Sequence, residues 1–506
     1  MVFYISVIIV ALFVLWGAIN PDNLASFANE ALGFTIQKFG WLYLLAAFAF
    51  LVFSLFLAFS KYGHIRLGSD DDDPEYSNRS WFAMLFSAGM GIGLVFWGVA
   101  EPIYHYITPP MGEAQTADAA RMALRFAFFH WGLHPWGIYT VIALALAYFQ
   151  YRKGYRGLIS WTFYPLLGER VKGPIGRAID ILAIIATSFG VATSLGLGTL
   201  QINGGLGYLF GIPANAYVQV TIIGVVTILY MLSATTGLDK GIRILSNANL
   251  LVALGLLLTT LLLGPTFFLF DIFTTILGSY LQNLIQMSLR LAPFTQNPWV
   301  GDWTLFYWAW WIAWAPFVGM FIARVSRGRT IKEFVLGVLL IPSLFSFFWF
   351  SVFGGTALHF EIFEKLNIAE AVQNDVTTAL FTTLGHLPFG TFLSLLATLL
   401  IITFFITSAD SATFVLGMLS SEGQLNPTNR VKITWGFLQS SIAIVLLLSG
   451  GLQALQTASI VAAFPFAIIM GLMCVSILRA LEEEAKEERR KEKKRRKKLD
   501  KLIENE

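Results

Sequence analysis

The chain has 506 residues, 56% of them hydrophobic and only 13% charged, with 34 Lys and Arg against 31 Asp and Glu for a net charge of +3. Its mean hydropathy is +0.67, whereas a soluble globule carries about 25% charged residues. The composition therefore excludes a water-solvated enzyme or a nucleic-acid binder and calls for lipid around most of the surface. The single cysteine, Cys474, lies in an apolar segment and excludes a disulfide framework or a cysteine metal site.

Apolar runs able to cross a ~30 Å hydrocarbon core recur along the whole chain. They predict an all-α polytopic protein with about twelve spans, at 2–19, 38–60, 80–106, 122–150, 176–202, 215–233, 243–264, 300–325, 332–355, 383–419, 431–449 and 452–479. The first run (Val2 to Trp16) lacks a basic leader and reads as a span, not a cleaved signal. Basic residues collect in alternate loops: Arg152, Lys153, Arg156, Arg170, Lys172 and Arg177, then Arg324, Arg327, Arg329 and Lys332. Smaller sets are Lys61, Arg66 and Arg79, Lys240 and Arg243, and Arg430 and Lys432, while loop 356–382 is acidic (Glu361, Glu364, Glu370, Asp375). The positive-inside rule then predicts both termini in the cytoplasm.

Segment 265–292 carries polar residues at helical spacing and reads as an amphipathic helix on the outer surface. It divides the chain into 1–79 (two N-terminal spans), 80–264 (five spans), 265–299 (the surface helix), 300–479 (five spans) and a charged tail, 480–506. Five spans per half put the halves in opposite topology, the arithmetic of an inverted repeat. The tail, acidic at first and then densely basic over 489–498, reads either as a solvated helix or as a sensor of anionic lipid or ionic strength.

Three spans depart from plain hydrophobicity. In "FSAGMGIGLVFWGVAEPIYHY" the glycines Gly89, Gly91 and Gly93 alternate mid-span. Glycines two apart do not share a helix face, so an unwound stretch offering its backbone to a solute fits better than a close helix contact. Glu101-Pro102 is expected to end that span near the outer side. In "FFHWGLHPWGIY", Trp136 and Tyr139 are helical neighbours, and a bend at Pro135 would bring Trp131 towards them. His130 and His134 read as satisfied core histidines, since no carboxylate stands nearby in sequence. In "WAWWIAW", Trp308, Trp311 and Trp314 share a face in mid-span, too deep for an interfacial belt.

Several aromatic faces form a cage for a quaternary ammonium, each contributing about 0.5–2 kcal/mol. No acid sits at the centre of these segments, so a zwitterion, its carboxylate met by backbone amides at Gly89–Gly93, fits better than a bare cation. "FFITSADS" adds Thr407, Ser408, Asp410 and Ser411, hard oxygens suited to Na⁺ or to bonding back onto their own helix.

"GMGIGLVFWGVAEP", "FFHWGLHPWGIY", "WTLFYWAWWIAWAPFVGMFIARVSRGRTI" and "TSADS" together resemble the betaine–choline–carnitine transporter family, most clearly over 80–420. The resemblance implies a leucine-transporter-like inverted repeat of five plus five helices, alternating access and a homotrimer in a bacterial cell membrane. It places the family's aromatic box on Trp131, Trp136, Tyr139 and Trp311, and Trp310 and Trp314 on the cytoplasmic exit path. It places the family's sodium site on the backbone of Ala88 and Met90 with Phe404, Thr407 and Ser408. A second sodium site in sodium-coupled relatives resembles Thr187, Phe317 and Phe321, but its other hydroxyl position is Val191 here, a departure from the family's pattern.

Gly93 stands where choline-specific relatives carry Asp, and Val318 near where ion-independent carnitine exchangers carry Met. The motifs are most similar to glycine betaine carriers of Gram-positive bacteria. The expected function is Na⁺-driven import of glycine betaine as an osmoprotectant, with no cofactor, and with ectoine, proline betaine, carnitine or choline as alternative substrates. A channel would call for pore-lining charge rings and an enzyme for a nucleophile–base or metal cluster; the sequence offers neither.

Overall fold

The computed structural model describes residues 1–236, 239–295 and 297–503, without side chains at 239–243, 495 and 498–503; the side chains of Lys240, Arg243 and Lys498 thus lie outside the described set. Two N-terminal helices, α1 (Val2–Ile19) and α2 (Pro21–Phe59), precede the first half: α3 (Asn78–Gly89), α4 (Ile92–Ile107), α5 (Ala117–Trp131), α6 (Leu133–Ala147), the short α7 (Tyr164–Leu167), α8 (Pro174–Phe210), α9 (Ala216–Thr236) and α10 (Asp239–Leu263). After α11 (Thr266–Ser288) come α12 (Phe306–Val325), α13 (Ile331–His359), the short α14 (Ile368–Asn374) and α15 (Ala379–Gly385), α16 (Gly390–Ser420) and α17 (Asn429–Ile503). The protein is an all-α polytopic membrane protein. Eleven described helices are long and apolar enough to span, and the bent pair α3–α4 makes a twelfth. This tally takes α5 and α6 together as one span over Ala117–Arg152, α11 as a span and α17 as one, whereas the sequence-based set omits α11 and divides α17. The chain does leave helical geometry at Gly450 and Gly451, between the last two expected spans.

Several boundaries differ from expectation, each for a local reason. Helix α2 begins well before residue 38 because Pro21 occupies its first turn and the Asn20 side chain accepts from the Asn23 amide. Helix α4 runs through Glu101-Pro102 to Ile107 instead of ending there. The α13 backbone comes so close at Gly354 that a Cβ would lie 2.6 Å from the Pro102 ring and 3.1 Å from the Gly98 carbonyl that the proline leaves unpaired. Helix α5 gives way to α6 at Gly132, not at Pro135; the Phe347 ring lies 2.5 Å from where a Gly132 Cβ would sit. The expected span 383–419 begins only at Gly390, after the separate helix α15.

Helix α11 buries Leu269, Ile276, Tyr280 and Met287, a single stripe at helical spacing, against α5 and α13. Its C-terminal half is tied to the start of α6 by the Tyr280 hydroxyl, which accepts from the Leu133 amide at 3.3 Å, and by Ser288, 2.8 Å from His134 Nε2.

The end of the bundle carrying the basic loops is laced together. Residues 65–67 pair with 328–331 through Leu67 N–H to Arg329 O (2.8 Å), Gly328 N–H to Leu67 O (2.8 Å) and Ile331 N–H to Ile65 O (2.9 Å). Arg329 is buried over the Trp81 ring at 4.4 Å. The charged tail continues α17 without a break, and its first turns are docked. Glu484 is buried and accepts from the Tyr148 hydroxyl, Arg152 Nε and Lys153 Nζ, each at 2.6 Å. From 487 to 494 the side chains are exposed.

Candidate functional site

Helix α3 stops at Gly89, Met90 and Gly91 are extended (φ −86° and −173°), and α4 departs at 62°. Glycine is required by close approach. A Cβ on Gly93 would meet the Trp310 ring at 2.5 Å and Trp131 at 3.1 Å, and one on Gly89 would meet Trp136 at 3.1 Å. The break frees the last carbonyls of α3 and the first amides of α4 from intrahelical partners. The amide end of α4, with no side-chain cap at Gly91, carries the partial positive charge of a helix N-terminus and suits an anionic group.

A cavity of about 730 Å³ starts at this break. Ala88, Gly89, Met90, Gly91 and Gly93 line it together with Trp131, Tyr139, Trp310, Trp311 and Trp314. Phe317 and Phe321 from α12 and Phe404, Thr407 and Ser408 from α16 complete its walls. It runs on to Gln150, Arg156 and Arg324 at the basic end, so its mouth lies among the basic loops.

The rings are held from behind. Trp131 and Trp311 meet edge to face at 4.8 Å, Tyr139 and Trp311 at 6.2 Å, and Trp310 stacks on Trp311 at 4.8 Å with 16° between planes. Trp131 Nε1–H donates to Glu101 Oε2 (2.8 Å), Trp311 Nε1–H to His130 O (2.9 Å) and Trp314 Nε1–H to Ser194 Oγ (2.8 Å). These three N–H groups are engaged by protein, which leaves ring faces to the cavity; Trp310 Nε1 is buried without a hydrogen-bond partner among the described residues, and that ring is held by packing alone.

Two expected wall residues are placed elsewhere. Trp136 packs behind Gly89 and meets Tyr139 at 5.4 Å instead of lining the cavity. Trp308 does not share the cavity face with Trp311 and Trp314; it is buried against Phe129 (5.0 Å) and stacked on His134 (5.1 Å, 14°).

The oxygens of α16 face the break across the cavity. The Thr407 hydroxyl donates within its own helix (Thr403 O 3.0 Å, Phe404 O 3.2 Å) and accepts from Asn249 Nδ2 at 3.3 Å. Asn249, a buried polar residue in the apolar α10, is a wall residue that sequence reasoning missed. Of the second expected cation set, Phe317 and Phe321 line the cavity, while Thr187 is buried outside its lining and donates to Ala183 O at 2.7 Å; Gly190, on the same helix, packs against Ala313 and Trp314 of α12.

The other missed residue is Glu101. Expected near an outer end, it is fully buried, and it supplies the carboxylate that the sequence near His130 lacks. Its Oε1 lies 2.7 Å from His130 Nδ1 and 3.1 Å from His105 Nε2, and its Oε2 accepts from Trp131 and from the Tyr307 hydroxyl (2.5 Å). A lone acid inside an apolar span was the available signal.

A water-accessible hollow with aromatic faces, a helix N-terminus and uncharged oxygens can hold a small zwitterion without reacting with it. Comparison with known proteins agrees. Residues 1–486 match the BCCT family, described as betaine/carnitine/choline family transporters. The chain is 54% identical over 488 residues to a glycine betaine transporter of Bacillus subtilis, covering 96% of this chain and 95% of that one. It is 50% identical over 487 residues to an ectoine/hydroxyectoine transporter of Virgibacillus pantothenticus (96% and 97%), and 41% identical over 488 residues to an osmo-dependent choline transporter of Acinetobacter baylyi (96% and 71%). The chain belongs to the betaine/carnitine/choline transporter family.

Proposed function

We propose that this transporter is a Na⁺-coupled symporter that imports glycine betaine by alternating access between its two five-helix halves. The observation that carries the reading is the meeting of Trp131, Tyr139 and Trp311 with the Gly89–Gly93 break on one cavity. A trimethylammonium group cannot donate N–H hydrogen bonds and gains most from π faces, while its carboxylate suits the amides at the start of α4. Na⁺ is assigned to the oxygens of Ala88, Met90, Phe404, Thr407 and Ser408, which border the same cavity. With basic loops cytoplasmic, the mouth at Arg156 and Arg324 faces inward, and both termini lie in the cytoplasm. We assign the protein to a bacterial cell membrane as a homotrimer, with the basic tail directed at anionic lipid.

Uptake of radiolabelled betaine, choline, carnitine and ectoine into proteoliposomes, with and without an inward Na⁺ gradient, tests this. Betaine is expected to accumulate only with Na⁺, and accumulation unchanged by its removal refutes symport. The similarity to an ectoine transporter makes ectoine the second substrate to compare; preferred uptake of ectoine would reassign the cargo while keeping the site.

A further inference from the structure

We infer that the carboxylate of Glu101 sets the charge preference of the aromatic site by acting through the Trp131 indole. This rests on the proposal that the site holds a quaternary ammonium.

The hydrogen bonds show what the carboxylate faces. Trp131 Nε1–H can only donate, and it donates to Oε2 beside the Tyr307 hydroxyl. His130 stands between Glu101 Oε1, 2.7 Å from its Nδ1, and Thr304 Oγ1, 2.9 Å from its Nε2, a hydroxyl that can accept from the ring or donate to it. His105 donates to Oε1 from Nε2; its Nδ1 is buried with no partner, where a second N–H would be left unpaired. Among the described residues the only ion-pair partners of Glu101 are these two imidazoles. Trp131, Tyr307 and the two imidazoles therefore converge on one buried carboxylate. The Glu101, His105 and His130 ligand atoms lie within 4.8 Å of one another, as they would around a metal, but all three already serve this network.

A buried carboxylate is costly unless the groups around it use its charge. The group next to it that reaches the cavity is the Trp131 ring. A carboxylate on the indole N–H pushes electron density onto the ring face and adds its own field through a low-dielectric interior, so a cation over that face is favoured and a neutral group is not. Glu101 is thus a positioning residue for the rings and, beyond that, a selector for charge.

A structural role and a charge role separate on a pair of ligands: glycine betaine and 3,3-dimethylbutanoate, which carries the same carboxylate and a neutral carbon in place of nitrogen. Binding of both is measured by calorimetry on the purified full chain. Glu101→Gln is expected to weaken betaine about tenfold while changing the neutral isostere less than about twofold. Glu101→Asp, which keeps the charge on a shorter arm, should retain the wild-type ratio of the two affinities. Equal loss of both ligands in Glu101→Gln, or a ratio in Glu101→Asp that matches Gln, overturns the inference. If Glu101→Gln does not fold, Tyr307→Phe serves: one donor fewer leaves the carboxylate more negative, and the ratio should rise about twofold; an unchanged ratio overturns the inference equally. Wild-type protein that binds neither ligand would instead refute the betaine reading itself.

Discussion

The two ends of the path through the bundle are built from different materials. Beyond Trp131, away from the basic loops, the path is filled: Trp97 meets Trp303 at 5.3 Å, His105 meets Trp303 at 4.5 Å, and Trp299 packs on Phe126 at 4.9 Å, all around the Glu101 cluster. On the other side, the cavity continues past Trp314 and Phe321 to Arg324. The filled end uses large rings packed edge to face and mostly buried inside the protein, so its closure is an assembled core. The open end uses flexible charged side chains that water can solvate. Under the alternating access proposed above, the packed ring contacts of the filled end are the ones to break, and contacts across the open end are the ones to form.

The ring wall between the two ends should give the largest response. Trp311→Leu removes a face of the site and its bond to the His130 carbonyl, and is expected to weaken betaine binding about a hundredfold by combining a lost cation–π contact with a lost anchor. Calorimetry with a parallel thermal melt checks it; normal binding would remove Trp311 from the site. Gly93→Ala should cost about tenfold, because its Cβ would lie 2.5 Å from the Trp310 ring and must push that stack aside. If Gly93→Ala binds normally, the backbone approach at the break is not what positions the rings.

These two positions also show what the sequence made legible. The alternation of Gly89, Gly91 and Gly93 announced the break, since the cost of such glycines inside a helix demands a reason. Trp311 and Trp314 were readable because neighbours on one helix follow a fixed period. Trp308 escaped that logic: helical spacing fixes direction only to within a turn, and His134 on α6 supplied a competing partner to stack on. Glu101 was harder still, because three of its donors come from 130, 131 and 307 and no periodicity links them. The tail misled in the opposite sense. Its composition is that of a solvated helix, yet Glu484 is buried, because partners on the α6 end neutralise it.

The open end yields smaller effects. Glu484→Gln removes the negative charge that Arg152 and Lys153 share, although Arg152 keeps Asp70, weakening the docking of α17 by about 1–3 kcal/mol. Faster proteolysis of the tail, with betaine affinity unchanged, is the expected result; an unaltered cleavage rate would mean that the α17 backbone docks without the ion pairs.

The smallest effect on transport comes from shortening the tail. Deleting 482–506 removes both the Glu484 anchor and the basic block, so a flattened osmotic response in that variant would not distinguish them. Truncation after residue 488 keeps Glu484 docked and removes the basic run. If the basic run reads anionic lipid, this variant should transport at the wild-type maximum but lose its dependence on osmolality and on the anionic lipid fraction of proteoliposomes, because attraction of about 1 kcal/mol per basic residue is screened over about 8–10 Å. If the docked turn is itself the sensor, the truncated protein keeps its osmotic profile while Glu484→Gln loses it. The two variants thus place regulation either on the exposed part of α17 or on its contact with α6, which borders the open mouth.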